Sequence, residues 1–154
     1  MVLAILGIFI GIFIFFVWRH NQQAATLAAT KDIYALDPYE FEKYVGILFK
    51  KSGFRVRQKG RSGDRGIDLA VKKKGKVAIV QCKRYQHNVG AGIVRELIGT
   101  MTNAKVDKGY LITPGGFTKG ARQEAKTAGN VSLIGGETLA RWARKYGLPG
   151  EVMQ

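Results

Sequence analysis

Hydrophobic and polar positions alternate most cleanly in the middle of the chain. Ile67, Leu69 and Val71 alternate with Asp68 and Ala70, a period of two that predicts a strand. A second strand follows from Val77 to Lys83, with Val77, Ile79, Gln81 and Lys83 on one face and Ala78, Val80 and Cys82 on the other. The polar stretch Lys72-Lys73-Lys74-Gly75-Lys76 separates them and predicts a β-hairpin. A two-residue turn at Lys74-Gly75 would set Asp68 directly opposite Gln81, with side chains about 5 Å apart. Lys83 follows on the same face.

Helical periods flank this hairpin. Asp37-Pro38-Tyr39-Glu40 reads as a cap, a first-turn proline and a capping-box carboxylate. Phe41, Tyr44, Val45, Leu48 and Phe49 continue it as an apolar stripe that Ser52-Gly53 ends. Glu42 borders that stripe, beside Gly46, whose missing side chain would admit another backbone. Phe54 to Gln58 is a short strand, and Lys59 to Arg65 a Gly- and Arg-rich loop. Ile93, Val94, Leu97, Ile98 and Met101 mark a second helix; glycines at its start, Gly90 and Gly92, would let a phosphate reach its amides. Gly109 to Thr113 reads as a buried strand. Thr118 caps a helix to Ala128 that Gly129 stops; Val131 to Ile134 and Thr138 to Tyr146 are the last strand and helix. This order predicts an α/β sandwich around a mixed sheet, its first three strands antiparallel and its later ones joined by parallel crossovers.

The first part of the chain has no such period. Val2 to Trp18 carries no charge and, as a helix, would be about 26 Å long, at the short end of what crosses a bilayer. A signal peptide would carry positive charge before the apolar run and an Ala-x-Ala site after it; neither is present. Residues 1–20 therefore predict an uncleaved transmembrane anchor. Arg19 and Lys31 follow the run, so the rest would face the cytoplasm from the inner membrane. Residues 21–36 form a linker or a helical extension of the anchor, 37–147 the α/β domain, and 148–154 a tail.

Charge narrows the partners. The chain has 25 Lys and Arg against 11 Asp and Glu, a net +14. Thirteen of the 25 lie between Lys50 and Arg84, where Asp64 and Asp68 are the only acids. Such a surface suits a polyanion, either nucleic acid or an anionic leaflet, with solvation as the bland alternative. One cysteine and two histidines exclude a disulfide framework and a Cys- or His-rich zinc site. Cys82, on an apolar strand face, reads as a buried structural thiol.

The hairpin carries the candidate chemistry. The Asp68 carboxylate, the Gln81 amide oxygen and the Cys82 backbone carbonyl are hard ligands of the kind Mg²⁺ takes. Lys83 beside them could orient or deprotonate water and offset charge on phosphorus. Glu42 could join through a water or a second cation. On spacing alone, a buried polar triad held by Lys83–Asp68 pairing fits equally well.

Taken together, the motifs do more. Asp37-Pro38-Tyr39-Glu40-Phe41-Glu42, Gly63-Asp64-Arg65-Gly66-Ile67-Asp68, Val80-Gln81-Cys82-Lys83-Arg84, and Thr113 followed by Gly116-Phe117-Thr118 resemble the catalytic domain of Mrr-like restriction endonucleases, in the PD-(D/E)xK superfamily. The resemblance spans Asp37 to Tyr146. It implies a restriction-endonuclease-like fold and a Mg²⁺-dependent endonuclease on DNA, with Mn²⁺ able to stand in. Its functional positions carry over to Glu42, Asp68, Gln81 and Lys83. Arg61, Arg65, Lys72, Lys73, Lys74, Arg84, Asn88 and Gly90 are the candidate DNA contacts, and a homodimer is open. The winged-helix recognition domain of better-known members has no counterpart here. The rival readings are a catalytically silent DNA tether and a basic structural protein docked on anionic lipid.

Overall fold

In the computed structural model, residues 7, 10–17, 33–59 and 66–146 are described. Five strands form one sheet in the order of the chain: β1 (Arg55–Gln58), β2 (Leu69–Lys73), β3 (Lys76–Cys82), β4 (Gly109–Ile112) and β5 (Val131–Ile134). The β1–β2 and β2–β3 pairs are antiparallel, and the β3–β4 and β4–β5 pairs are parallel. Helix α1 (Pro38–Lys51) precedes β1, α2 (Ala91–Ala104) joins β3 to β4, α3 (Lys119–Ala128) joins β4 to β5, and α4 (Gly136–Lys145) follows β5. The mixed sheet and its order match the expectation from periodicity.

Strand alternation divides the core into two layers. Leu69, Val71, Ala78, Val80 and Ile112 pack with Phe41, Val45, Leu48 and Phe49 of α1 and with Leu139 and Ala143 of α4. Phe49 anchors this layer, its ring edge-on to Phe54, Tyr110 and Trp142 at 5.1–5.5 Å. Ile79 and Leu111 point to the other side, against Val94, Leu97 and Met101 of α2 and Ala121 and Ala125 of α3. Both crossover helices therefore cover one face.

Local signals set the ends. Asp37 accepts from the Glu40 amide at 2.8 Å, and Glu40 accepts from the Asp37 amide at 2.7 Å, a complete capping box. Thr118 caps α3 through the Ala121 amide at 3.1 Å. In the β2–β3 turn Lys74 and Gly75 have φ of 50° and 80°; two positive values make it type I′, whose twist suits a two-residue hairpin. Gly46 departs from expectation. The nearest atoms a Cβ there would meet are in the side chains of Leu69 and Val56, at an ordinary 3.8 Å, so no backbone of another element comes closer.

Gly7 and residues 10–17 are helical, and the apolar side chains of 10–17 are exposed. The rest of the anchor expected over 1–20, and all of 18–32, lie outside the described residues. Among those described, no helix is long and apolar enough to cross a membrane.

Candidate active site

The site forms where the hairpin stops being a regular ladder. In a two-residue hairpin the pair flanking the turn exchanges both backbone bonds, and every second pair repeats this. Here those pairs are Lys73–Lys76, Val71–Ala78 and Leu69–Val80, so Ile67–Cys82 would come next. The ladder breaks first. The Asp68 amide donates to the Val80 carbonyl at 3.0 Å, although Val80 is already the partner of Leu69. Asp68 and Leu69 thus oppose one residue, which is a β-bulge, and bulges redirect side chains. The Cys82 amide donates to Asp68 Oδ2 at 2.6 Å instead of to a backbone carbonyl.

On its other edge β3 stays paired: the Lys83 amide donates to the Ile112 carbonyl at 2.8 Å. By strand alternation the Cys82 carbonyl points the same way as its amide, toward Asp68. The fork therefore gathers a carboxylate and a backbone carbonyl. Burial raises the Asp68 carboxyl above the usual range, partly offset by the Cys82 amide and the Lys83 ammonium. Burial, followed by the charges of Asp68 and Glu42, pushes the Cys82 thiol well up. Glu42 of α1 thus lies within electrostatic reach of the fork, and the thiol is no nucleophile.

Gln81 departs from the expected pairing. The register runs as expected through Leu69–Lys73, but the bulge re-aims Asp68, and its carboxylate lies on the Cys82 amide. Gln81 shares its strand face with Ile79, toward α2. Its side chain is 1% exposed, and Nε2 donates to Glu96 Oε1 at 3.3 Å. Gln81 Oε1 is buried with no hydrogen-bond partner among the described residues. Gly66 adjoins it: at φ 80°, a Cβ there would fall 2.8 Å from Gln81 Nε2.

The donor chemistry fits a hard divalent cation. Among the described residues no group of three Cys, His, Asp or Glu is placed to hold a metal, so a zinc-type cage is absent there. The Asp68 carboxylate and the Cys82 carbonyl are oxygen donors, as Mg²⁺ prefers. Among the described residues the Gln81 oxygen is a buried acceptor without a donor, a costly state that a cation would relieve.

The candidate DNA contacts separate. Arg61 and Arg65 lie outside the described residues. Arg84 Nη1 donates to the Tyr34 carbonyl at 3.0 Å, tying the chain before α1 to the strand end. Asn88 is exposed beside Gly116, and a Cβ at Gly90, the N-cap of α2, would meet nothing within 4 Å. Lys72, Lys73 and Lys74 occupy the far end of the hairpin. Seven residues along β3 separate Lys76 from Lys83, about 23 Å at strand rise. Lys73 is not a free tip residue: its ammonium donates to the Ser52 carbonyl at 2.7 Å and lies over the Phe54 ring.

Periodicity missed two residues. Glu96 stands on the exposed side of α2, where a carboxylate draws no notice, and only the packing of α2 on the sheet brings it to Gln81. Gly66 belongs to a recognised motif, yet its purpose emerges only from the amide beside it.

A restriction endonuclease family model, that of the Mrr catalytic domain, matches residues 33–143. The chain belongs to this family. It is 30% identical over 129 residues to the type IV methyl-directed restriction enzyme EcoKMrr of Escherichia coli (strain K12), covering 79% of this chain and 42% of that protein. The chain thus spans less than half the length of that relative. The fold resembles the restriction endonuclease AspBHI, described as DNA modification-dependent (TM-score 0.66, 20% identity, 80% of this chain and 36% of that one). It also resembles MspJI in complex with a 27-mer oligonucleotide (TM-score 0.59, 24% identity, 80% and 31%).

Proposed function

We propose that the protein is a membrane-anchored, Mg²⁺-dependent DNA endonuclease that hydrolyses phosphodiester bonds. The observation that carries this is the Asp68 carboxylate on the Cys82 amide, at the point where β2 and β3 part, with Lys83 as the next residue of the strand. Asp68, Gln81 Oε1 and the Cys82 carbonyl would hold the cation. A cation held there would supply positive charge to polarise the phosphate and to favour ionisation of a nearby water. Asp68 supplies the charge that attracts it, and the Cys82 amide fixes which carboxylate oxygen stays free. Lys83 orients the attacking water and offsets negative charge growing on the phosphate oxygens. Glu42 enters from α1 through a water or a second cation. Water adds to phosphorus as the P–O bond to the leaving sugar oxygen breaks, and that oxygen takes up a proton.

The apolar run before the domain supports an anchor. Among the described residues the large exposed hydrophobic side chains are Ile10, residues 12–17 and Val77. Seven of the eight thus lie in one helical stretch, against one on the domain. With Arg19 and Lys31 after the run, the domain faces the cytoplasm.

The test is cleavage of linear, circular and branched DNA, methylated and unmethylated, by the detergent-solubilised chain. Products with Mg²⁺ or Mn²⁺ and none with chelator are expected. Binding without cleavage of any form would favour the silent tether.

A further inference from the structure

The Gln81–Glu96 pair has a polarity. A primary amide has a donor end and an acceptor end of nearly the same shape, and nothing covalent fixes which end faces a neighbour. An ionised carboxylate accepts and cannot donate. Glu96 Oε1 takes the bond from Gln81 Nε2 at 3.3 Å; the flipped amide would set oxygen against oxygen. Gly66 makes room for the arrangement, because any Cβ there would lie 2.8 Å from Nε2 and 3.7 Å from Glu96 Oε1. The consequence is a buried amide oxygen that faces away from Glu96 with no partner among the described residues.

We infer that Glu96 is a positioning residue: it holds the Gln81 amide nitrogen and so leaves the amide oxygen as the end offered to a cation. This rests on the nuclease reading of the site and adds a residue to it. Outer partners of this kind commonly alter metal affinity about 10- to 100-fold. Glu96 is exposed, so its replacement leaves the core packing intact.

The test measures Mn²⁺ binding to the full chain by electron paramagnetic resonance, without DNA, beside single-turnover cleavage. Glu96→Ala should weaken Mn²⁺ binding about 10- to 100-fold while the chain stays folded and melts at most a few degrees lower, the cost of leaving Gln81 Nε2 without its partner. Glu96→Gln should stay close to wild type, because its amide oxygen accepts the same bond. Glu96→Lys offers only donors, draws Gln81 Oε1 to itself, and should bind as weakly as Glu96→Ala. Gln81→Glu alone places two carboxylates together; adding Glu96→Gln restores a donor, and the double variant should bind at least as tightly as wild type. A metal-free readout is exchange of the Gln81 side-chain amide protons, slow in wild type and Glu96→Gln and faster in Glu96→Ala.

Wild-type affinity in Glu96→Ala would overturn the inference and leave the nuclease reading standing. Equal losses in Glu96→Ala and Glu96→Gln would overturn it too, because charge alone would then be what Glu96 contributes. A wild-type chain that neither binds Mn²⁺ nor cleaves DNA would remove the nuclease reading and this inference together.

Discussion

Asp68 Oδ2 lies 2.6 Å from the Cys82 amide nitrogen, on the rung that the Ile67 carbonyl would fill in a regular hairpin. A side chain thus ends the ladder, and its carboxyl is held in a half-buried place that raises its pKa. The sign for stability follows. A carboxyl raised on folding favours the folded state while protonated, below the ordinary Asp value of about 4. That contribution is lost as pH rises through the raised value. Asp68→Asn keeps an oxygen for the Cys82 amide without the buried charge. In chelator at pH 7 the variant should melt a few degrees above wild type, and the difference should vanish below about pH 4. Millimolar Ca²⁺ should stabilise wild type and leave the variant unmoved. A variant less stable than wild type at pH 7 in chelator would mean that the ionised carboxylate supports the fold.

The same fork makes Cys82 unreactive. With its pKa well raised by burial and two nearby carboxylates, the thiolate is scarce. Alkylation by iodoacetamide at pH 8 should be at least about tenfold slower in the native chain than in the denatured one. Equal rates would place the thiol in open solvent.

Membrane topology has its own test. A reporter active only in the cytoplasm, fused after Gln154, should be active. A periplasmic signal, or a mature chain beginning near Ala28, would contradict the anchor and its orientation.

Much of the frame is legible in sequence because its causes are local. The Asp37–Glu40 capping box, the Thr118 cap and the Lys74-Gly75 turn each depend on residues within a few positions. The type I′ turn then carries the register to Leu69–Val80. Register stops predicting at Asp68, because an extra residue in one strand leaves no mark in a period-two pattern. The Gln81–Glu96 pair is illegible for another reason. It links residues 15 apart on a strand and a helix, and how α2 packs on the sheet decides it. Gly46 shows the opposite error: a glycine beside a candidate glutamate suggests a close approach, yet its space is ordinary. The candidate DNA contacts fall in two places: β3 sets Lys72, Lys73 and Lys74 at the far end of the hairpin from Arg84, Asn88 and Gly90.

The central claim is that Lys83 acts on the reaction and not merely on DNA. Lys72→Ala and Lys83→Ala remove one charge each from the same hairpin; Lys72 faces Val77, six residues and about 20 Å along β3 from Lys83. Lys72 is the better control than Lys73, whose ammonium is bound to Ser52. The measurement is single-turnover cleavage with Mg²⁺ at saturating protein, with DNA affinity determined in Ca²⁺ over a range of salt. Affinity should fall steeply with salt in all three proteins, because lysine–phosphate contacts release counterions. Lys72→Ala should weaken binding modestly and cleave at nearly the wild-type rate once saturated. Lys83→Ala should bind almost as wild type and cleave at least about 100-fold more slowly. Equal losses in both assays for the two variants would contradict the account and leave Lys83 as one more phosphate contact.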